Sequence, residues 1–218
     1  LIGKKPKDFD IATDARPSQV KKLFTNSRIV GRRFRLAHIL FRGGQVIEVS
    51  TSRKKSEYRQ EDSDSPVVRS ENTFGTAAED AKRRDFTLNT LLMDLEGNIY
   101  DPLGCGLEAV QDHRVIFVGD PAQRIEEDYL RILRFFRFNA YYSEIESYDQ
   151  VGLKACKQAA KNIKQLSRER ITQEFFKIIS ATKAHEVLEV MLGHNVLKDL
   201  PPKEYDPEFF EHFSTFQT

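Results

Sequence analysis

Two aspartates stand two residues apart near the start of the chain, in the run KPKDFDIATDA, residues 5–15. In an extended backbone alternate side chains project from the same face, so Asp8 and Asp10 would share one face while Phe9 and Ile11 share the other. Two like charges held this close repel unless one takes up a proton or a cation lies beside them. Because hard divalent ions such as Mg²⁺ prefer oxygen ligands, the pair predicts a metal site.

A third carboxylate in a second strand-like stretch extends the prediction of a metal site. The stretch GGQVIEVST, residues 43–51, alternates like a strand, and its carboxylate Glu48 on a neighbouring strand would complete a two-metal site. A calcium loop of the EF-hand type is excluded, because its sixth and twelfth positions, counted from Asp8, hold Thr13 and Gln19 instead of glycine and glutamate. The Asp-x-Asp spacing is also common at turns and helix N-termini, and that alternative stays open at this point.

The charge of the chain is unevenly distributed. The net charge is only +1 over 218 residues, but residues 1–58 carry fourteen Lys and Arg against five Asp and Glu, densest in GRRFR, residues 31–35. Such an excess predicts a polyanionic partner or substrate. The two cysteines and five histidines lack zinc-site spacing, so a reducing, cytoplasmic compartment is expected. No run of eighteen apolar residues occurs, so no membrane partner is expected.

The elements that must position these residues follow from periodicity and turn signals. Residues 8–13 predict a strand, residues 17–24 a helix, and residues 28–41 and 45–50 two further strands joined by a turn at Gly43 and Gly44. Residues 52–72 are polar and aperiodic, which predicts a mobile loop.

The second half of the chain is predicted to be helical. A helix is expected from Ala77 through KRRDFTLNTLLMD, residues 82–94, followed by a short strand and turn in GNIYDPLGCG, residues 97–106. From Pro121 onward helices are expected throughout. Three amphipathic stretches carry this prediction, with Ser167 as a cap and Gly193 as a helix end: residues 126–142, 167–180 and 184–197.

Several motifs now stand in a recognisable order. They are Asp8 and Asp10, IVGRRFRLAHI (residues 29–39), Glu48, RRDFTLNTL (83–91), YDPLGCGLEAV (100–110), EEDYLRILRFFRF (126–138) and SRERITQEFF (167–176). In this order the chain resembles the class II RNA nucleotidyltransferases, the family of bacterial poly(A) polymerases and CCA-adding tRNA nucleotidyltransferases. The resemblance covers nearly the whole chain.

The resemblance implies an α+β fold with a DNA polymerase beta-like palm in a catalytic head, residues 1–118. A helical neck, residues 119–182, and the start of a helical body, residues 183–218, would follow. The glycine-glycine element that the family carries ahead of the aspartate pair is absent from this sequence, and the chain begins at Leu1, so we expect it to start inside a longer protein.

The resemblance also assigns roles residue by residue. Asp8 and Asp10 match the metal-binding catalytic pair, and Glu48 matches the third acid. Nucleotide-binding roles fall on seven residues: Arg84, Asp85, Asn89, Asp128, Arg131, Arg134 and Arg137. The basic run supplies Arg32, Arg33 and Arg35 as RNA-binding candidates.

The implied reaction is template-independent addition of nucleotides to an RNA 3′ end. It would use two Mg²⁺ ions, with Mn²⁺ as an alternative, and a nucleoside triphosphate as substrate. The run IVGRRFRLAHI resembles that of bacterial poly(A) polymerases, which favours ATP as substrate and messenger or other RNA as partner. The neck is equally similar to tRNA nucleotidyltransferases, so a CCA-adding, or CC- or A-adding, enzyme that also uses CTP on tRNA remains the alternative.

Two hypotheses from other classes remain. A glycosyltransferase could use Asp-x-Asp with Mn²⁺, but the RRDF run and the arginine-rich neck would then have no role. A catalytically inactive RNA-binding homologue would bind RNA without extending it.

Overall fold

The structure, a computed structural model, describes residues 9–31, 36–58 and 69–198. The chain divides into two compact units, with the boundary between Arg84 and Asp85. The first unit is built around a sheet and the second is mainly helical, which is the α+β architecture predicted from the sequence. The limits predicted for head, neck and body, residues 1–118, 119–182 and 183–218, stay predictions. In the described part of the chain no helix is long and apolar enough to cross a membrane.

A four-stranded sheet forms the centre of the first unit. Its strands and their covering helix are β1 (Asp10–Thr13), α1 (Pro17–Leu23), β2 (Ser27–Val30), β3 (Leu36–Leu40) and β4 (Val46–Thr51). The spatial order is β1-β4-β3-β2, with β1 parallel to β4 and the other pairs antiparallel. Alternate residues of β3 and β4 point to one face, where Ala37, Ile39 and Val49 pack with Val20 of α1.

Glycines decide where the strands of this sheet turn. The single strand predicted over residues 28–41 is wrong, because Gly31 has a φ of +95° and ends β2, and β3 then pairs antiparallel with β2. A positive φ is readily adopted only by glycine and interrupts an extended run. The turn predicted at Gly43 and Gly44 is confirmed, with φ values of +89° and +81° between β3 and β4.

The segment predicted as a mobile loop over residues 52–72 contains two strands. Strand β5 (Arg53–Tyr58) pairs antiparallel with β6 (Arg69–Phe74), from Arg53 opposite Phe74 to Tyr58 opposite Arg69. The loop prediction is therefore wrong for these strands. It relied on the lack of apolar residues, whereas a two-stranded ribbon is joined by backbone hydrogen bonds that any sequence can form. Residues 59–68 lie outside the described part of the chain.

The helix predicted from Ala77 through residue 94 is short. Helix α2 (Ala77–Ala81) begins with a capping box, in which Glu79 N donates to Thr76 Oγ1 and Thr76 N donates to the Glu79 carboxylate. The prediction is wrong beyond Ala81. The Asp85 carboxylate accepts a hydrogen bond from the backbone N–H of Phe86, which favours a turn. A 3₁₀ turn over Thr87–Thr90 follows, then the two-residue strands β7 (Leu92–Met93) and β8 (Ile99–Tyr100).

The described part of the second unit contains six α-helices. They are α3 (Gly106–Gln111), α4 (Pro121–Glu127), α5 (Leu130–Tyr142), α6 (Gln150–Ala159), α7 (Arg168–Ile179) and α8 (Ala184–Gly193). Their core is aromatic: the rings of Phe117 and Phe135 stack with centroids 5.5 Å apart, and Phe86 packs against Phe117 at 4.8 Å. Ser167 precedes α7 as predicted, but its hydroxyl forms no capping hydrogen bond, whereas α8 ends at Gly193 as predicted.

Candidate functional site

Two carboxylates lie opposite each other on neighbouring strands of the first unit. Asp10 on β1 is in register with Glu48 on the parallel strand β4. Glu48 is also opposite His38 on β3, and His38 Nε2 lies 3.4 Å from Glu48 Oε2. Directly paired residues project from the same face, so Asp10, Glu48 and His38 form a row across the sheet.

The structure describes one aspartate of the predicted metal-binding pair, Asp10. Asp8, the other half of the predicted pair, lies outside the described residues, as do Arg32, Arg33 and Arg35. Within the described ranges no group of three or more His, Cys, Asp or Glu side chains could hold a metal ion. The exposed Asp10 carboxylate has no hydrogen-bond or ion-pair partner among the described residues, which fits a ligand for a hard cation. The metal roles of Asp8, Asp10 and Glu48 therefore stay predictions.

The RRDF run is divided between the two units. In the first unit Arg84 Nε donates to Asp80 Oδ2 at 3.1 Å, four residues earlier. In the second unit Asp85 is only 7% exposed, and its Oδ1 accepts from Phe86 N and from Asn89 Nδ2, both at 2.9 Å. Its Oδ2 accepts from Arg134 Nε at 2.6 Å. The structure thus brings together three of the predicted residues, Asp85, Asn89 and Arg134, as one hydrogen-bonded group.

Asp128 lies between two helices instead of on one. Helix α4 ends at Glu127, Asp128 is extended with φ −159° and ψ 105°, and α5 begins at Leu130. The single helix predicted over residues 126–142 is therefore wrong. The Asp128 side chain explains the break, because its Oδ1 accepts from the backbone N–H of Leu130 at 3.1 Å, as a capping residue does.

Arg131 is held by the end of the preceding helix. Its Nη1 donates to the Arg124 carbonyl and to Glu127 Oε2, both at 2.7 Å. The same Glu127 oxygen also accepts from Arg124 Nη1 at 2.8 Å. One carboxylate therefore fixes two guanidinium groups, and it does so next to Asp128 in the sequence.

Arg137, the last of the predicted arginines, takes a different acidic partner. Its Nε lies 2.7 Å from Glu174 Oε2 of α7, and the Glu174 side chain is only 6% exposed. The guanidinium also lies over the Phe138 ring, 4.3 Å from the ring centre. Arg131, Arg134 and Arg137 thus pair with three separate carboxylates, and Arg137 faces the packing between α5 and α7.

Sequence reasoning missed three residues that hold the predicted ones. Glu127 could have been found, because it precedes Arg131 by four residues, a spacing at which acid and base pair on helices. Glu174 and Arg170 lie in the run SRERITQEFF, residues 167–176, but nothing in that run indicates their distant partners. Arg170 Nη2 donates to Asp128 Oδ2 at 2.7 Å across 42 residues of sequence, a contact that only the packed helices create.

Two family models match the chain. The model of the poly A polymerase head domain matches residues 1–116. A second model, described as a probable RNA and SrmB-binding site of polymerase A, matches residues 149–204.

Curated relatives of two kinds match most of the chain. Poly(A) polymerase I of Escherichia coli O157:H7 is 35% identical over 216 residues, covering 93% of this chain and 44% of the relative. The CCA-adding enzyme of Lactobacillus helveticus is 34% identical over 201 residues, covering 92% of this chain and 48% of the relative. The chain thus spans about half the length of the curated relatives it matches.

Solved structures share the fold. A crystal structure of the Bacillus stearothermophilus CCA-adding enzyme in complex with CTP matches with a TM-score of 0.80 at 28% identity, covering 98% of this chain and 50% of that one. The Thermotoga maritima CCA-adding enzyme complexed with tRNA matches with a TM-score of 0.73 at 20% identity, covering 99% of this chain and 49% of that one, and this likeness concerns the fold alone.

Proposed function

This chain belongs to the family of the poly A polymerase head domain, and on that premise we propose that it acts as a template-independent RNA 3′-terminal nucleotidyltransferase. The reaction is attack by the RNA 3′ hydroxyl on the α-phosphate of a nucleoside triphosphate, with pyrophosphate as the leaving group. The first candidate is a poly(A) polymerase that transfers AMP from ATP to RNA in the cytoplasm.

The observation that carries this proposal is the register of Asp10 opposite Glu48 on adjacent parallel strands. Strands provide rigid positions about 4.8 Å apart, so two carboxylates in register can hold cations or orient a hydroxyl with little rearrangement. Asp8 and Asp10 would hold Mg²⁺, with Glu48 as the third acid. Such ions, when bound, activate the attacking hydroxyl and neutralise charge on the triphosphate.

Base selection is assigned to Asp128 and Arg131. Adenine and cytosine both present an exocyclic amine, a donor, beside a ring nitrogen, an acceptor. Asp128 would accept from the amine and Arg131 would donate to the ring nitrogen. Guanine and uracil present the reverse pattern and would oppose acceptor to acceptor and donor to donor. Each such mismatch reduces binding by about tenfold to a hundredfold.

The remaining predicted residues take supporting roles in this proposal. Arg84 would contact the nucleotide phosphates, and Arg32, Arg33 and Arg35 would contact RNA phosphates, because guanidinium groups form paired hydrogen bonds to phosphate oxygens. The group of Asp85, Asn89 and Arg134, together with the Arg137–Glu174 pair, would shape the nucleotide-binding helix from within the second unit.

The second candidate is a CCA-adding, or CC- or A-adding, tRNA nucleotidyltransferase. It is supported by the 28% identity and TM-score of 0.80 to the CCA-adding enzyme in complex with CTP. The Asp128–Arg131 pattern accepts adenine and cytosine alike, so it serves either candidate.

Extension of RNA tests the proposal. The whole protein is incubated in Mg²⁺ with each nucleoside triphosphate and either a tRNA lacking its terminal CCA or an unrelated RNA. A ladder of A on the unrelated RNA supports the poly(A) polymerase, and three or fewer nucleotides on tRNA alone support the second candidate.

The matched carboxylate variants are Asp10→Ala and Asp14→Ala, both at exposed positions. Asp10→Ala should abolish extension and leave RNA binding intact, because the carboxylate serves the metals and basic residues serve the RNA, whereas Asp14→Ala should remain active. RNA binding by the wild-type protein without any extension would identify an inactive homologue and contradict the proposal.

A further inference from the structure

The Asp128 carboxylate is held from two directions. Leu130 N donates to Oδ1 at 3.1 Å from the start of α5, and Arg170 Nη2 donates to Oδ2 at 2.7 Å from the first turn of α7. One donor is local and the other comes from a separate helix. Together they fix the plane of the carboxylate at a residue that no helix contains.

This arrangement leaves Asp128 able to accept further hydrogen bonds. An ionised carboxylate has about four acceptor positions, two on each oxygen. Leu130 and Arg170 use one on each oxygen, and the Asp128 side chain is 34% exposed, so an acceptor position remains open to solvent. A donor from outside, such as the amine of a base, can therefore bind without displacing Arg170.

Arg131 forms two of its hydrogen bonds with residues close to it in the sequence. Its guanidinium is fixed by Glu127 and by the carbonyl of Arg124, both in the helical turn before it. Asp128 accepts from the Leu130 amide with one oxygen and from Arg170 with the other. The second oxygen of Asp128 is therefore held by a residue of α7.

We propose that Arg170 is a positioning residue for base selection: it orients the Asp128 carboxylate so that the carboxylate accepts from the amine of adenine or cytosine. The inference rests on the proposed function and adds to it a specificity determinant on α7. Arg170 lies within residues 149–204, the segment matched by the model of a probable RNA-binding site, so selection of the base depends on a helix of that segment.

The solvent exposure of Arg170 and Asp128 determines how large an effect we expect from removing Arg170. The Arg170 and Asp128 side chains are 47% and 34% exposed, and exposed ion pairs contribute little because water competes for both partners. We therefore expect removal of Arg170 to weaken ATP binding by about threefold to fivefold and to reduce the preference for ATP over GTP by a similar factor.

The experiment compares Arg170→Ala, Arg170→Lys and the matched control Arg168→Ala, an exposed arginine on the same turn of α7. The whole protein is assayed for kcat and KM with ATP and with GTP on one RNA, and Tm is measured for each variant. Arg170→Ala should raise KM for ATP and lower the ATP-to-GTP ratio of kcat/KM. Arg170→Lys should recover part of the ratio, since lysine keeps one charged donor, and Arg168→Ala should match the wild type.

Two results would overturn the inference while leaving the proposed function in place. One is an unchanged ATP-to-GTP ratio in Arg170→Ala, whether or not the Tm falls. The other is tighter ATP binding by Arg170→Ala, which would mean that Arg170 competes with the base. If the wild type extends no RNA, the proposed function fails. Equilibrium binding of ATP and of GTP to the wild type and to Arg170→Ala then decides the inference. The same ATP-to-GTP ratio of Kd in both proteins would overturn it.

Discussion

Asp85 is a buried carboxylate that three hydrogen-bond donors surround. It is 7% exposed and accepts from the Phe86 amide, the Asn89 side chain and Arg134. A buried carboxylate is tolerated when charged and neutral donors replace its hydration, and here they come from its own turn and from α5. Within the second unit, Asp85 therefore links the turn at Phe86 to α5, the helix that carries Arg131.

Removing this carboxylate should destabilise the protein. Asp85→Ala removes the carboxylate that accepts from Arg134, Asn89 and the Phe86 amide, so the free energy of unfolding should fall by about 2 to 3 kcal/mol. Urea unfolding followed by circular dichroism measures the change. The control is Glu126→Ala, an exposed carboxylate of α4. Equal stability of the two variants would refute a structural role for Asp85.

At the scale of elements, Asp101 organises the connection from β8 to α3. Its carboxylate accepts from the backbone N–H groups of Leu103, Gly104, Gly106 and Leu107, at 2.8 to 3.3 Å. Burial alone would raise the pKa of Asp101, but these hydrogen bonds outweigh it and lower the pKa below its ordinary value of 3.8. The ionised form thus stabilises both the turn and the first turn of α3.

A pH-dependent loss of stability should follow. Because folding lowers the pKa of Asp101, its contribution is fully present above the unfolded-state pKa and is lost as pH falls through the folded-state pKa. Asp101→Ala should cost about 1 to 2 kcal/mol at pH 7, and the difference from wild type should shrink at acidic pH. Urea unfolding at pH 7 and near pH 3 measures both values. A difference that grows on acidification would contradict this assignment.

Local residue types predicted some elements and not others. Gly43 and Gly44 between two alternating runs were sufficient for a hairpin, because the turn conformation is set by the glycines themselves. Strands β5 and β6 were missed because their stability lies in pairing with each other, which composition does not reveal. The break at Asp128 was missed because apolar periodicity continues through it, and only the contacts with Leu130 and Arg170 show its conformation.

The candidate site was predicted unevenly for similar reasons. The identities of Asp85, Asn89 and Arg134 were found from short motifs, but their mutual hydrogen bonds join residues up to 49 positions apart. The pairing of Arg137 with buried Glu174 could not be predicted either, because it results from packing of α5 against α7. Motifs therefore identified the residues, and the folded core determined their partners.

For the molecule as a whole, the two units carry different parts of the proposed chemistry. Asp10 and Glu48 belong to the first unit, and Asp128 and Arg131 belong to the second. Within the proposed reaction the carboxylate pair serves transfer and the acid-arginine pair serves the choice of base. Variants of Asp10 and Glu48 should therefore lose the rate of nucleotide transfer. Variants of Asp128 and Arg131 should lose selectivity for the base.

The central claim is that protein side chains, and no nucleic acid template, choose the incoming base. The measurement that tests it most directly is the relative incorporation of all four nucleotides at an RNA 3′ end by the wild type, Asp128→Ala and Arg131→Ala. The wild type should accept ATP or CTP and discriminate against GTP and UTP. Each variant should be less active, with that discrimination reduced by about tenfold or more. Unchanged selectivity in both variants would contradict the account.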